Sequence, residues 1–591
     1  MMRRVLVLGL ALGMFASSAA ARSDLPAGNY VLQYSPNSSS AQGLFLIKVE
    51  HKGGKDVAEM IEPREAEVES FSVDDRKVVI VFKGFGRTLS FDGAIDPKDD
   101  KIIVGSFGDD GLITRSMLLP TMAEKLEGTD KIRQIEMPEP MAKAQKLTSK
   151  LAGLRLKLRQ EKDAEARTAL MKDIEAAQKE ADEQVPTLYK ELMTKHADSP
   201  SIVDAMQGLL ASKTDSKLKP DEASQWLKAV NTFATPYGPR YRLEVLQKLS
   251  GQLANQKGLE PVALEAADLA VGALSDKTTT GQQVKVLKAL RTAQERTGKA
   301  DLAKQTDAKL GKLEEVLDQE YLAKVPPFKP TKFQGRKEAS ERAVVMELFT
   351  GAQCPPCVAA DAAFDGLLKA YKPSELVLIQ YHMHIPGPDP LTNPDTIARW
   401  DYYRKLHNRQ VGGVPTSLFN GKPAAGGGGG MANAEAKFND FRKVIDPLLE
   451  ETTTIKLTGK VDVSGEKLAI RVDVDGIKEP GDNFRVRLLL VEESIRYVGG
   501  NGIRFHHHVV RDMPGGVEGT AMKEAKGTVS ASVDLTALRG ELSKYLENFV
   551  ADGGQFSNPD RPLALKNLRV IAIVQDDSTG AILQGLQLDV K

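Results

Sequence analysis

Apolar and polar residues alternate along much of the first hundred residues of the chain. Runs such as "YVLQYS", "LFLIKVE" and "KVVIVFKG" place every second side chain on one face, and Gly, Asp and Asn separate them. A period of two residues bounded by such turn residues is typical of half-buried antiparallel strands. The pattern predicts a small antiparallel β-domain over residues 22–120, built either as a barrel or as a sandwich.

Helical periodicity replaces this alternation from residue 121 to residue 325. Leu147, Leu151, Leu154 and Leu158 follow the spacing of one helix face, and charged residues fill the positions between them. This region is therefore predicted to be an α-helical domain. The stretch "AKVPPFKPTKF" then interrupts helical structure and predicts a linker over residues 326–342.

Strands and helices alternate in residues 343–451. "AVVMELF" and "LVLIQYHMHI" are typical of buried strands, with a helical segment between them, and "VGGVPTSLF" predicts a further strand. Between the last two, a helix is expected to begin with Asn393 as its cap and Pro394 in its first turn. Alternation returns in "KLAIRVDVDG" and "FRVRLLLVEE", which predicts a C-terminal β-sandwich over residues 452–591. The predicted fold class is multidomain α+β.

The N-terminus has the pattern of an export signal. "MMRR" is basic, the next dozen residues are apolar, and "ASSAAA" supplies the small residues that a signal peptidase requires. We therefore predict a signal peptide over residues 1–21 and an exported protein of the periplasm or cell envelope. No other segment reaches the ~18 apolar residues of a membrane span, so a protein that does not span the membrane is expected.

Charge gives no indication of a nucleic-acid partner. The chain has 80 lysine and arginine residues and 80 aspartate and glutamate residues, a formal net charge of zero. Binding to nucleic acid or to an anionic membrane surface usually requires a basic excess. No nucleic-acid partner is therefore expected.

The two cysteines of the chain, Cys354 and Cys357, lie in the motif CPPC at the predicted start of a helix. Unpaired N–H groups and the helix dipole favour a thiolate there, which makes Cys354 the expected nucleophile. Cys357 is one turn further along and is expected to resolve a mixed disulfide. Pro355 and Pro356 remove two N–H donors, so we expect a Cys354 pKa nearer ~7 than ~3.5, which favours reductase or isomerase work over strong oxidation.

These segments resemble a known fold. A strand, Cys-x-x-Cys at a helix start and a later Val-Pro-Thr before a strand resemble the thioredoxin-like fold. More closely, "VVMELFTGAQCPPCVAAD", "YHMHIPGPDPLTNPDTIARWDYY" and "VGGVPTSLFNGK" are similar to a group of exported thioredoxin-like proteins with the pattern ELFT-x-x-x-C-x-x-C-x-x-A-D. That group also has a C-terminal β-domain with an H-N-V-V-R-like segment, matched here by "HHVVRDMPGG". The resemblance implies a thioredoxin-like α/β domain over residues 343–451.

The resemblance also implies a substrate-binding position. In the thioredoxin-like fold the proline of the Val-Pro-Thr segment is cis and lies opposite the cysteines, which places Val414 and Pro415 in that role. The backbone of Val414 is then expected to pair with an extended substrate peptide. The chain departs from many thioredoxins in having Gln353 before the first cysteine and two prolines within the motif, so neither redox potential nor partner is carried over.

Histidines raise a metal-binding alternative. His382 and His384 are two apart on a predicted strand, so both are expected on one face near the cysteines, where thiolate and imidazole suit copper or zinc. His506–His508 are consecutive and are interpreted as part of a loop or domain interface. Asp389 is interpreted as turn chemistry in a rigid loop, and "AAGGGGG" at residues 424–430 as a flexible strand or hinge without the Lys and Ser/Thr of a phosphate-binding loop.

Two classes of function follow from the sequence. The first is an exported thiol–disulfide oxidoreductase that acts on disulfide-containing envelope proteins through CPPC, with an unidentified thiol as electron donor and no required cofactor. The alternative is an envelope binding or structural protein, or a copper carrier, that uses the thioredoxin-like domain as a scaffold. Fold alone does not separate them.

Overall fold

The structure is a computed structural model of the chain. It describes residues 25–590 with the exception of 54, 75, 86, 110–111, 212–217, 338 and 557–559. The predicted signal peptide, residues 1–21, lies outside the described residues. The chain divides into two compact units, one ending at Leu317 and the other beginning at Asp318.

The first unit begins with an antiparallel sheet whose strands follow the predicted alternation. In the strand at Lys77–Gly84, for example, buried Val78, Ile80 and Phe82 alternate with more exposed residues. The strands are β1 Gly28–Tyr34, β2 Gln42–Lys52, β3 Lys55–Glu62, β4 Ala66–Asp74, β5 Lys77–Gly84, β6 Arg87–Asp96, β7 Asp99–Gly108 and β8 Ile113–Thr121. Their order is β3-β2-β1-β8-β7-β6-β5-β4, and the end strands β3 and β4 contact each other. The single curled sheet is barrel-like, which is the first of the two expected forms.

Helices make up the rest of the first unit, as the sequence predicts. They are α1 Glu139–Gln160, α2 Ala164–Lys195, α3 Ser201–Ala211, α4 Pro220–Ala234, α5 Gly238–Ala254, α6 Glu260–Val271, α7 Thr280–Arg296 and α8 Ala300–Lys324, whose last residues belong to the second unit. Local caps fix their starts: Thr279 and Gln282 form a capping box at α7. The helices and one face of the sheet share a core that includes Val31, Leu119 and Leu246.

The second unit places strands and helices in alternation around the cysteine pair. The elements are β9 Val344–Thr350, α9 Val358–Ala370, β10 Leu376–His382, α10 Pro394–His407, β11 Thr416–Phe419, β12 Lys422–Pro423 and α11 Ala434–Leu448. β9 and β10 are parallel and buried at every position, while β11 is antiparallel to β9. Strands buried on both faces read as continuous apolar runs, which explains "VVMELF" and "LVLIQY".

Most strands of the C-terminal region belong to the same sheet as β9 and β10, and the others form a small sheet of their own. Their elements are β13 Lys456–Ser464, β14 Lys467–Asp475, β15 Gly481–Arg496, β16 Phe505–Asp512, β17 Thr520–Met522, β18 Gly527–Asp534, α12 Leu535–Ala551, β19 Leu568–Asp576 and β20 Ala581–Asp589. The large mixed sheet has the order β12-β11-β9-β10-β16-β15-β19-β20, with β17 paired to β15, and β13-β14-β18 form a separate small sheet. The mixed α+β class with an N-terminal antiparallel sheet and a helical region is confirmed.

Three local expectations differ from the structure. The predicted strand "LVLIQYHMHI" ends at His382, so His384 lies in the following loop and does not share a strand face with His382. His506–His508 lie on β16 and not in a loop, but β16 joins the C-terminal region to β10 as its parallel partner, which agrees with the domain-interface alternative. The C-terminal region also contains the helix α12, which alternation had concealed. Across the described ranges, the structure has no helix with the length and apolar character needed to cross a bilayer.

Candidate active site

The cysteine pair lies between the end of β9 and the start of α9. Cys354 precedes a 3-10 turn at Pro355–Cys357, which runs directly into α9. The two cysteines form a disulfide with an S–S distance of 2.06 Å and a Cα–Cα distance of 5.3 Å. Cys354 is 1% exposed and Cys357 is fully buried. The structure thus holds the pair in its oxidised form at the start of a helix, where the sequence placed it.

Val414 and Pro415 lie beside Cys354, as the sequence analysis expected. The carbonyl oxygen of Val414 is 3.9 Å from Cys354 Sγ, and the peptide bond between Val414 and Pro415 is cis. Val414 and Pro415 are half-buried, so part of this segment is exposed to solvent.

The glycine-rich stretch at residues 424–430 packs against the CPPC motif. Gly429 N–H donates to the carbonyl of Pro356 at 2.7 Å, and Ala359 N–H donates to the carbonyl of Gly429 at 2.9 Å. A Cβ atom at Gly428 would lie 2.0 Å from the Pro356 carbonyl oxygen and 3.0 Å from the Pro415 ring. The segment interpreted as a flexible strand or hinge is therefore a brace for the cysteine motif, and its glycines allow the close approach.

A loop between β15 and β16 holds the residues that precede Cys354. Asn501 N–H donates to the carbonyl of Ala352 at 3.1 Å, and the Asn501 side chain donates to Gly351 at 3.2 Å. Gly500 N–H donates to the Gln353 side chain at 3.1 Å. Sequence reasoning missed this contact, although "VGGNG" has the small residues that such a close approach requires.

Asp389 is buried and organises the backbone beside the motif. Its carboxylate accepts hydrogen bonds from Ala352 N–H at 2.6 Å, Leu391 N–H at 2.9 Å and His382 Nδ1 at 2.8 Å. Burial raises the pKa of Asp389, but the neighbouring His382 and the backbone donors outweigh it and hold the pKa below its usual value. Asp389 serves a loop turn, as expected, and also anchors the segment before Cys354.

His382 and His384 both hydrogen-bond to Asp389, the first at its carboxylate and the second at its backbone N–H. His382 Nδ1 bonds Asp389, whereas His384 Nδ1 accepts from Asp389 N–H at 2.9 Å and His384 Nε2 lies 3.0 Å from the Tyr545 hydroxyl. The His384 ring also stacks on Phe549 with a centroid distance of 4.1 Å. Within the described part of the chain, no group of three or more His, Cys, Asp or Glu side chains is arranged to hold a metal ion.

Asp361 is a candidate functional residue that the sequence analysis did not single out. It lies on α9 four residues after Cys357 and is 4% exposed. Thr350 Oγ1 donates to its Oδ2 at 3.1 Å and Gln380 Nε2 to its Oδ1 at 3.2 Å. Burial raises the pKa of Asp361 to about 7, although nearby His382 opposes the shift. A carboxyl with this pKa can exchange a proton near neutral pH. In the sequence, Asp361 is the final Asp of the pattern ELFT-x-x-x-C-x-x-C-x-x-A-D and lies four residues after Cys357.

Comparisons with known proteins add little to this geometry. No family model matches the chain, and no curated protein matches it. The chain is similar to a crystal structure of a protein from Agrobacterium tumefaciens, a structural-genomics target, with 16% identity, coverage of 43% of this chain and 95% of that chain, and a TM-score of 0.28. A likeness at this level carries no argument, so the cysteine pair and its surroundings are the basis for any functional conclusion.

Proposed function

We propose that the protein is an exported thiol–disulfide oxidoreductase that acts on protein disulfides through Cys354 and Cys357. The observation that carries the proposal is the oxidised pair at a helix start, with the Val414 carbonyl 3.9 Å from Cys354 Sγ. A disulfide that closes only two intervening residues adds little stability, because the unfolded chain loses little freedom when so short a loop is closed. A chemical role accounts for the pair better than a structural one.

The arrangement of neighbouring elements supports a thioredoxin-like unit within the second half of the chain. β9, α9 and β10 form a strand–helix–strand unit, and the order β12-β11-β9-β10 adds an antiparallel hairpin on the other side of β9. The cysteine motif follows the first strand, and the cis Val414–Pro415 bond precedes β11. These features agree with the resemblance to exported thioredoxin-like proteins.

The reductive reaction has two steps. The Cys354 thiolate attacks a substrate disulfide, one substrate sulfur leaves as a thiolate, and a mixed disulfide forms at Cys354. Cys357 then gives its proton to the Asp361 carboxylate and attacks Cys354 Sγ, which releases the second substrate thiolate. The substrate gains two electrons and the pair becomes the disulfide of the structure, which a thiol donor must reduce before the next cycle. The same steps in reverse oxidise a dithiol.

Substrate binding is assigned to the edge at Val414 and Pro415. An extended peptide that pairs with the backbone there brings its disulfide toward Cys354 without large side-chain pockets. Main-chain pairing recognises extended structure more than sequence. The proposed substrates are accordingly envelope proteins with accessible disulfides in extended segments.

Single-cysteine variants test the proposal. Cys354→Ser should abolish reduction of a peptide disulfide, whereas Cys357→Ala should keep the first step and accumulate a mixed disulfide with substrate, detected by mass on non-reducing gels. Since the chain has two cysteines, the double variant is a matched control that should trap nothing. Full turnover by either single variant, or no mixed disulfide with Cys357→Ala, contradicts the proposal and favours the scaffold alternative.

A further inference from the structure

A pocket of about 450 Å³ lies against the C-terminal half of α9, at the other end of the helix from the cysteine pair. Its lining includes Asp365 and Lys369 from α9, His507 from β16, Glu493 from β15 and Arg569 from β19. These side chains are separate from the substrate edge at Val414. Asp365 connects the two regions because it lies on the helix that begins at the cysteines.

Ionisable side chains form a row along one face of α9. Cys357, Asp361, Asp365 and Lys369 are spaced four residues apart, and the backbone of Cys357 is already helical with φ −74° and ψ −21°. Side chains four residues apart on a helix are neighbours, with about 5 to 6 Å between Cβ atoms. The row therefore leads from the resolving cysteine to the pocket.

Exposure to solvent increases along this row. Cys357 is 0% exposed, Asp361 4% and Asp365 9%, while the His507 side chain at the pocket is 23% exposed. A proton released from Cys357 therefore has no direct exit to water at the sulfur. Successive members of the row bring it closer to solvent.

Each carboxyl of the row has its own charged surroundings. Burial raises the pKa of Asp361 to about 7, and ionised Asp365 adds to that shift; burial also raises the pKa of Asp365 to about 8, although Lys369 opposes the shift. Each carboxyl can therefore gain or lose a proton near neutral pH. The ionisable groups that face Asp361 are His382, Asp389, Asp365 and Tyr321, and those that face Asp365 are Lys369, His507 and Tyr321.

His507 is oriented to take a proton from Asp365. Its Nδ1 lies 3.1 Å from the carbonyl oxygen of Glu493, an acceptor only, so Nδ1 carries the hydrogen of the neutral ring. Nε2 then has a free electron pair and lies 3.6 Å from Asp365 Oδ1. The separation is slightly longer than a hydrogen bond, so the two groups must approach for a proton to pass. Burial lowers the pKa of His507, so an imidazole that takes a proton releases it readily.

We propose that Asp361, Asp365 and His507 relay the proton of Cys357 to the pocket, which opens to solvent. The inference rests on the proposed function and extends it to the path of the proton. When Cys357 attacks the mixed disulfide, its proton passes to the Asp361 carboxylate. Asp361 passes a proton to Asp365, Asp365 passes one to His507 Nε2, and the imidazolium releases it to water in the pocket. Only protons move along the row, and the S–S exchange accounts for the electrons.

The test uses the full-length reduced protein and an aromatic disulfide reagent whose released thiolate absorbs visible light. Cys354 releases the first equivalent and Cys357 the second, so the two phases report the two steps separately. In Asp365→Asn, an isosteric and neutral change, we expect an unaltered first phase and a second phase slowed roughly tenfold. The pH midpoint of the second phase should shift downward, because Asp361 loses a neighbour that raises its pKa. Added imidazole, small enough for the pocket, should restore part of the rate.

Asp440→Asn is the matched control, since Asp440 is an exposed carboxyl on α11 of the same unit, and it should change neither phase. A second phase in Asp365→Asn with wild-type rate and pH profile overturns the relay. A slowed second phase without a pH shift and without imidazole rescue also overturns it, because it indicates a structural effect. If the wild-type protein releases no second equivalent, the oxidoreductase proposal itself fails, and that outcome is distinct from either failure of the variant.

Discussion

Asp361 shows how burial converts an ordinary carboxyl into a group that titrates near neutral pH. Its two hydrogen-bond donors, Thr350 and Gln380, are neutral and offset only part of the cost of burying a charge. The native state therefore prefers the protonated form more than the unfolded chain does. Below pH 4 both states hold the proton, whereas between about pH 4 and 7 the unfolded chain gives it up first.

We predict that Asp361→Asn stabilises the protein at pH 8 and has little effect at pH 4. Native stability falls as pH rises through this window, and the neutral amide removes that loss, by roughly 1 to 4 kcal/mol. Thermal unfolding of the second unit at the two pH values measures the effect. Asp440→Asn should show no such difference between pH 4 and 8, and an Asp361→Asn variant that is less stable than the wild type at pH 8 contradicts the assignment.

Residues whose roles depend on local sequence were predictable, and those whose roles depend on burial were not. Asn393 caps α10 by accepting a hydrogen bond from Thr396 N–H at 2.9 Å, as its position before Pro394 indicated. The cysteines at a helix start were equally clear. In the sequence, Asp361 and Asp365 resemble ordinary residues of a helix surface. Their burial depends on neighbouring strands, and the sequence does not show which strands pack against the helix.

Among the elements, the glycine-rich stretch at 424–430 has the most direct influence on the site. Backbone hydrogen bonds tie it to Pro356 and Ala359, on both sides of Cys357. A side chain at Gly428 meets the Pro356 carbonyl, so the brace can approach only as glycine. The position of the cysteine motif therefore depends on a segment about seventy residues further along the chain.

We predict that Gly428→Ala lowers the rate at which Cys354 reacts with a peptide disulfide by at least tenfold. The added methyl group pushes the brace away from Pro356 and shifts the motif relative to Val414, and small displacements of reacting groups cost about this much or more. The rate of mixed-disulfide formation measures the effect. Gly426→Ala is the matched control, because a Cβ atom there meets nothing within 4 Å. Equal rates in both variants would show that the brace does not position the motif.

Element ends were harder to predict than element types. The strand β10 was expected to continue through Ile385 because Met383 and Ile385 preserve the apolar pattern. It ends at His382 because the chain turns there. The turn places the His384 ring against Phe549 and lets the Asp389 carboxylate accept a hydrogen bond from Ala352 N–H. These contacts join residues distant in sequence, and tertiary contacts of this kind override local propensity.

At the scale of the molecule, the sheet that carries the cysteines depends on both halves of the second unit. β10 has β16 as its neighbour, and the core beside α10 includes Leu489 and Ile571 together with Tyr403. The sequence analysis predicted a domain boundary between residues 451 and 452, because the alternation of helices and strands gives way there to strands alone. Strand neighbours across such a boundary leave no trace in the local pattern.

We predict that a chain of residues 318–451 does not fold into a protease-resistant domain, whereas residues 318–591 do. The shorter chain leaves the edge of β10 unpaired and exposes the apolar side chains that face β15 and β19. Limited proteolysis and circular dichroism of the two fragments measure the difference. A stable, cooperatively unfolding 318–451 fragment would show that the C-terminal strands are dispensable for the fold around the cysteines.

The strand order has a consequence for the newly made protein. β20, which closes the sheet, follows Cys357 by about 230 residues, a delay of roughly 10 to 50 seconds at common rates of synthesis. For more than half of that interval the thiols have emerged without the loop between β15 and β16 that contacts the residues before Cys354, and for all of it the sheet beside them is incomplete. The nascent chain is therefore open to cross-linking with other thiols before it is complete, and any factor that shields the cysteines has to act within that interval.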